Sequence, residues 1–210
     1  MNMMQDKTLP HRISALIDGV FAIVMTILVL DIRVPHEMGL YKSVTLEQFL
    51  TGYFQDIILY MIVFVTLGYL WYVHHNQARY IQHTDRNHLW INIITLMFIA
   101  LIPFSSSLVN KFPEDWLAEL LMASNMFIVG LLNYASWAYA TKERRLVDED
   151  VPESYIRAES KRLLVFPAIA IIAMAAAFFY PLFAVYVLLI APILVFFSRL
   201  ARNNHKGTAR

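Results

Sequence analysis

Residues 12–32 read Arg12-Ile13-Ser14-Ala15-Leu16-Ile17-Asp18-Gly19-Val20-Phe21-Ala22-Ile23-Val24-Met25-Thr26-Ile27-Leu28-Val29-Leu30-Asp31-Ile32, and between Arg12 and Asp31 Asp18 alone is ionisable. A helix of this length rises about 30 Å, the thickness of a bilayer's hydrocarbon core. Lys7 and Arg12 ahead of the run give it the outline of a secretory signal. Asp18 interrupts it, however, and Asp31-Ile32-Arg33-Val34-Pro35 follows where a small-residue cleavage site would stand. The stretch therefore reads as an uncleaved first membrane span.

The composition agrees. Of 210 residues, 59% are hydrophobic and 16% charged, whereas a soluble domain carries about 25% charged residues. Much of the surface is thus not made for water. A net charge of +1 gives nucleic acid no footing, and the absence of cysteine excludes disulfides, thiol catalysis and cysteine-based zinc or iron–sulfur sites.

Six segments are long and apolar enough to cross: about 13–32, 50–73, 88–108, 116–140, 163–180 and 182–199. Pro35-His36-Glu37 ends the first, and Trp71-Tyr72-Val73-His74-His75-Asn76 ends the second. The last two must be separated by argument, because 163–198 is one apolar run. As a single helix it would be about 54 Å long, too long for one crossing. Tyr180-Pro181 lies at its middle. Proline ends helices and biases the residue before it away from helical geometry, so a tight hairpin is expected there. The charged strip Lys142 to Arg162 separates the fourth span from the fifth and would form a short interfacial helix near its end. The expectation is one all-α integral membrane domain over residues 1–210, with six spans.

Basic residues orient it. Lys7, Arg12, Arg79, Arg86, Lys142, Arg144, Arg145, Arg157, Lys161, Arg162, Arg199, Arg202, Lys206 and Arg210 fall on one side, and Arg33, Lys42 and Lys111 on the other. Fourteen against three places the first side, with both termini, in the cytoplasm.

Within the first span Leu16, Ile23, Ile27 and Leu30 share one helical face, with Thr26 at its border. Asp18 points elsewhere, about 140° from Ile23 at 100° per residue. Gly19 and Ala22 are small and would let neighbouring helices approach. In a symmetric assembly the apolar seam would become rings of Ile and Leu that gate by dewetting. An ordinary lipid-facing or core stripe gives the same periodicity. Asp18, at a costly depth, wants a partner, and Arg12, His74 and His75 are candidates. His74, His75, His83 and His88 lack metal-ligand spacing, so no metal is expected. Pro103 would kink the third span, with Ser105, Ser106 and Ser107 to satisfy freed carbonyls. Asn125, Asn133 and Ser136 of the fourth span, and Asn92 of the third, suit hydrogen bonds between helices. No catalytic constellation is present, so an enzyme is not expected.

The stretch from Arg12 to Ile32, with Trp71 and His74-His75 closing the second span and Asn92 through Pro103-Phe104 in the third, resembles the bacterial homologues of the lysosomal and endosomal potassium channel called transmembrane protein one-seven-five. Beyond residue 110 the span pattern alone agrees. The resemblance implies a homotetramer in the bilayer, with the pore lined by the first helix, K+ as permeating ion and no cofactor. It implies constrictions at Ile23, Ile27 and Leu30, with Thr26 contributing to selectivity. It also implies a network of Arg12, Asp18, Trp71, His74 or His75, and Asn92 holding the pore helix. The family signature carries Phe-Ser before Asp-Gly, where this chain has Leu16-Ile17. The function implied is a passive, potassium-preferring cation channel of the cell membrane, a bacterial inner membrane in particular. The alternatives are a secondary transporter, proton-coupled in one form, and a structural membrane protein that moves nothing.

Overall fold

The structure is a computed structural model and describes residues 9–32, 46, 47, 51 and 53–194, with only the backbone of 9–11. The chain is an all-α integral membrane protein. Among the described residues five helices are long and apolar enough to cross a bilayer, Arg12–Asp31, Phe54–Ala78, Arg86–Lys111, Trp116–Arg144 and Glu153–Phe179, and a shorter apolar helix, Pro181–Leu194, follows. Residues 195–199 at the end of the sixth expected span lie outside the described residues. So do Lys7, Arg33, Pro35, His36, Glu37, Lys42, Arg199, Arg202, Lys206 and Arg210.

The regular helices are α1 (Leu9–Ile27, tightening into a 3-10 turn over Leu28–Asp31), α2 (Phe54–Ala78), α3 (Arg86–Ala100), α4 (Ile102–Lys111), α5 (Trp116–Thr141), α6 (Glu153–Leu163), α7 (Val165–Phe179) and α8 (Pro181–Val187). Helices α3 and α4 form one bent crossing. Pro103 has no N–H for the carbonyl of Ile99, and the chain tightens at Leu101, whose N–H takes Phe98 O at 3.2 Å. The Ser105 hydroxyl donates to Leu101 O and Ile102 O, covering carbonyls loosened at the bend.

The fifth long helix begins at Glu153, ten residues before its apolar run, and its first part is the short helix expected near the end of the charged strip. Its first part, α6, is polar in sequence, yet Ile156, Glu159 and Leu163 face inward and Arg162 Nη1 donates to Glu159 Oε2 at 2.7 Å. Burying a carboxylate beside its cation let a charged stretch join the bundle, and hydropathy alone does not reveal it. The crossing ends at Tyr180, whose φ of −143° and ψ of 68° break the helix just before Pro181.

Helix α5 is the hub. It packs on α3, α4, α6, α7 and α8, and Met122, Met126, Val129, Trp137 and Ala140 on it are almost wholly buried. At Gly130 it meets α7 so closely that a Cβ would sit 2.9 Å from Phe166 Cδ1 and 3.0 Å from Pro167 Cδ. Helix α1 is the opposite case. Only Ile17, Phe21, Val24 and Leu28, one narrow stripe, are buried, and 28% of its span is buried against 39% to 50% in the other four. A Cβ at its Gly19 would meet nothing within 4 Å. At the far end of the bundle Phe112, Trp116, Phe178, Phe179, Tyr180 and Phe183 are exposed, with Trp116 stacked on Phe178 at 5.1 Å. Such a cluster suits a membrane–water boundary.

Gly130→Ala is expected to destabilise the protein by about 1–3 kcal/mol, because the new methyl has neither room nor a flexible neighbour. Gly68→Ala, whose Cβ would be 3.9 Å from Met25 Cε, is expected to be tolerated. Thermal unfolding in detergent compares the two, and equal midpoints would show that α5 and α7 separate without cost.

Candidate functional site: the first helix and the polar chain that holds it

The packed stripe of α1 lies about 110° round the helix from the seam read in the sequence. The seam itself is therefore free: Leu16 is 50% exposed, Ile23 59%, Ile27 43% and Leu30 68%. Thr26 is exposed beside them and its hydroxyl donates to Ala22 O at 3.0 Å and Ile23 O at 2.8 Å. With its proton turned to the backbone, the Thr26 oxygen presents lone pairs outward. Ile17, which stands where the family signature has serine, is 2% exposed and belongs to the core.

On another side of α1, Asp18 Oδ1 accepts a hydrogen bond of 2.9 Å from the Trp71 indole N–H on α2. One turn on, His75 stacks against the Trp71 ring, centroids 5.3 Å apart, and Arg79 Nη2 approaches His75 Nε2 at 3.5 Å. From the buried side of α2, His74 Nε2 reaches Asn92 Oδ1 on α3 at 3.1 Å. The Asn92 amide N–H donates to His88 O at 2.9 Å. That bond fixes the amide's orientation, so Oδ1 is an acceptor and His74 carries its proton on Nε2. His88 Nε2 in turn stands 2.9 Å from Ser136 Oγ on α5. Two polar links thus tie α1 to α2 and α2, through α3, to α5.

Asp18, Trp71, His74, His75 and Asn92 are brought together here. Arg12 is exposed at the start of α1 and makes no hydrogen bond or ion pair among the described residues. Reading the sequence as a search for metal ligands obscured His88, whose role is to bridge Asn92 and Ser136. Their separation by 48 residues left no local signal. The described residues hold no group of three or more His, Asp or Glu able to ligate a metal.

Below this level Asp85 caps α3. Its Oδ1 accepts the His88 backbone N–H at 2.8 Å and its Oδ2 the Tyr139 hydroxyl at 2.6 Å, while Arg145 lies over the Tyr139 ring at 4.6 Å. Partial desolvation pushes the Asp85 carboxyl up. The His88 N–H, the Tyr139 hydroxyl and the positive charges of His88 and Arg145 outweigh it and hold the group below its ordinary range. A cavity of about 450 Å³ opens between α1, α2 and α3, lined by Ser14, His74, Arg79, His83 and His88 among others. Pairing of Gln82 N–H with Leu146 O at 3.0 Å joins its rim to the α5–α6 connection.

These features define a multi-span membrane protein whose first helix is clipped by hydrogen bonds to the bundle and leaves a mixed polar and apolar face uncovered. Residues 12–103 match the model of the family described as the endosomal/lysosomal potassium channel TMEM175. The likeness to that family lies in the first half of the chain. A potassium channel of Streptomyces collinus is 29% identical over 151 residues, which cover 70% of this chain and 72% of that protein. The endosomal/lysosomal proton channel TMEM175 of Gallus gallus is 32% identical over 144 residues, 64% of this chain but 29% of the chicken protein. The crystal structure of a TMEM175 homologue from Chamaesiphon minutus, described as a lysosomal potassium-selective channel, superposes with a TM-score of 0.78 at 24% identity, over 89% of this chain and 96% of that one.

Trp71→Phe keeps the ring but leaves Asp18 without its donor, so a loss of about 1–3 kcal/mol is expected. Trp71→Phe and Asp18→Ala combined should cost less than the sum of the two, and strict additivity in thermal unfolding would show that the bond does not couple them. Asp85→Asn should lower stability by about 1 kcal/mol at neutral pH, because a neutral amide loses the charge that strengthens the bonds from His88 N–H and the Tyr139 hydroxyl. Because the folded Asp85 titrates lower than the unfolded one, its contribution is complete above about pH 4 and fades as pH falls through the folded value. Unfolding midpoints measured from pH 7 down to pH 3 should therefore converge between wild type and Asp85→Asn.

Proposed function

We propose that the chain is a passive, potassium-preferring cation channel, a homotetramer whose pore is lined by α1. One observation carries this reading. The helix with the least packing exposes an apolar seam, Leu16, Ile23, Ile27 and Leu30, on the same helix as an outward-facing Asp18 and Thr26. A helix that met only lipid would not present a hydroxyl beside that seam and a carboxylate on another side, because ionisable groups at membrane depth are costly unless paired or wet. Surrounding the seam with copies of itself gives rings at Ile23, Ile27 and Leu30 narrow enough to gate by dewetting, with the Thr26 oxygen as the polar contributor between them. Asp18, Trp71, His74, His75 and Asn92 hold that helix at a fixed angle. Arg12 joins this network through a neighbouring copy or not at all.

The family is one of ion channels rather than enzymes. Potassium is favoured over protons because the Streptomyces collinus relative, 72% of which the chain covers, is named a potassium channel. The chicken relative, named a proton channel, is more than three times the length matched. No cofactor is needed beyond the permeating K+, and monovalent cations, the bilayer and other copies of the chain are its partners. The basic residues favour a cell membrane, with both termini in the cytoplasm.

Purified protein in a planar bilayer, with potassium on one side and sodium on the other, tests the reading. A stable conductance reversing toward the potassium equilibrium is expected, and Ile23→Asn should raise it about twofold or more by wetting the narrowest ring. A reversal near zero would remove the potassium preference. No conductance in folded, tetrameric protein would point to the transporter or the structural alternative, and an unchanged Ile23→Asn would take Ile23 out of the pore. A reversal that follows an imposed pH gradient would mark a proton pathway instead.

A further inference from the structure

Far from the Asp18–Trp71 clip, where α2, α4, α5 and α8 meet, a small cavity of about 50 Å³ is lined by Glu119, Asp56, Gln55, Asn110 and Tyr186 among others. Glu119 is the unusual member. It lies in the first turn of α5 and is 2% exposed, yet its side chain takes no hydrogen bond or ion pair among the described residues. The ion pairs described are Arg144–Glu153 and Arg162–Glu159, at the opposite end. A carboxylate so buried and unpaired is expensive, and proteins resolve that cost with a proton or a counter-ion. Two features favour the counter-ion. The start of a 26-residue helix places partial positive charge beside the Glu119 carboxylate. The same cavity also gathers a second carboxylate, two amide side chains and a phenol, whose oxygens are all suited to a hard cation, whereas a lone protonated glutamic acid needs a single acceptor.

We propose that this cavity is a binding site for one divalent hard cation of the calcium kind, with Glu119 and Asp56 as anionic ligands and Gln55, Asn110 and Tyr186 completing the oxygen shell. Two carboxylates match a double positive charge. The volume holds one ion with a water or two, and the site sits where four helices converge, so an ion there clips α5 to α2, α4 and α8. The proposal does not depend on the channel reading, and it places a structural cation away from the pore helix.

The test uses the full chain in detergent, without anionic lipid, and follows thermal unfolding with calcium chloride added at ionic strength held constant by choline chloride. Calcium is expected to raise the midpoint by about 3 °C or more in wild type. Magnesium, which demands stricter octahedral geometry, should do less. The calcium-dependent increment should vanish in Glu119→Gln and fall by at least half in Asp56→Asn. The increment is the readout because Glu119→Gln relieves a buried charge and shifts the baseline by itself. If Glu119→Gln does not fold, Asp56→Asn on the more exposed rim decides. An absent increment in wild type overturns the proposal, as does an increment that survives in the decisive variant. A midpoint that responds to pH alone also overturns it, by assigning Glu119 a proton instead.

Discussion

Helix α1 is held to the rest of the bundle by one narrow apolar stripe and by the hydrogen bond from the Trp71 indole to Asp18. The stripe fixes how deep the helix sits but resists rotation weakly, since Ile17, Phe21, Val24 and Leu28 lie nearly in line. The hydrogen bond supplies the missing constraint. It sits to one side of the stripe, and a bond off the line of contact sets the angle at which the opposite seam faces away. The direction in which Ile23, Ile27 and Leu30 face depends on that angle. The Trp71 ring is itself braced by His75, and α2 is braced in turn through His74, Asn92, His88 and Ser136 to the buried hub α5. Rigidity is therefore passed from the best packed helix to the least packed one through polar contacts rather than through apolar area.

That arrangement decides what the sequence disclosed. Apolar length and proline placement are local properties, so the crossings, the bend at Pro103 and the break at Tyr180 were legible. The seam of Leu16, Ile23, Ile27 and Leu30 was also legible from its period of 3.6, but the packing face was not: Gly19 and Ala22, expected to meet neighbours, are exposed, and Ile17, Phe21, Val24 and Leu28 pack instead. Partners far apart in the chain were not legible either. Trp71 came to Asp18 through a family resemblance, whereas the reading of residues alone offered Arg12 and histidines. Asp85 and Tyr139, 54 residues apart, left no trace in either. The charged start of the fifth crossing was hidden for a related reason: Glu159 is polar by type but 4% exposed, and only its pairing with Arg162 explains that. Glu119 was invisible in the same way, an acid at a helix start that reads as a solvated cap until the surrounding helices are in place.

The turn after α5 shows a different economy. Glu143 and Arg144 both have positive φ, 54° and 52°, a conformation that side chains disfavour. The chain holds it because Arg144 Nη1 donates to the carbonyls of Asp148 and Glu149 at 3.1 and 2.8 Å, closing the loop that leads into α6. Leu146 and Val147 are buried beneath it, and Ile81 pairs with Val147 across a single bridge. The two connections on this side of the bundle thus brace each other.

Helices α7 and α8 are joined by a single residue, Tyr180, with α7 closing on it through Tyr180 N–H to Ala176 O at 2.7 Å and α8 opening through Phe183 N–H to Tyr180 O at 3.0 Å. A joint that short leaves no slack for one arm to wait in water while the other enters lipid. The two arms pack on each other, and Ala173 and Ala177 on α7 and Ala184 on α8 are all essentially buried. During biosynthesis the pair must partition from the translocation machinery as one helical unit, so the integration of α7 waits until synthesis has passed α8.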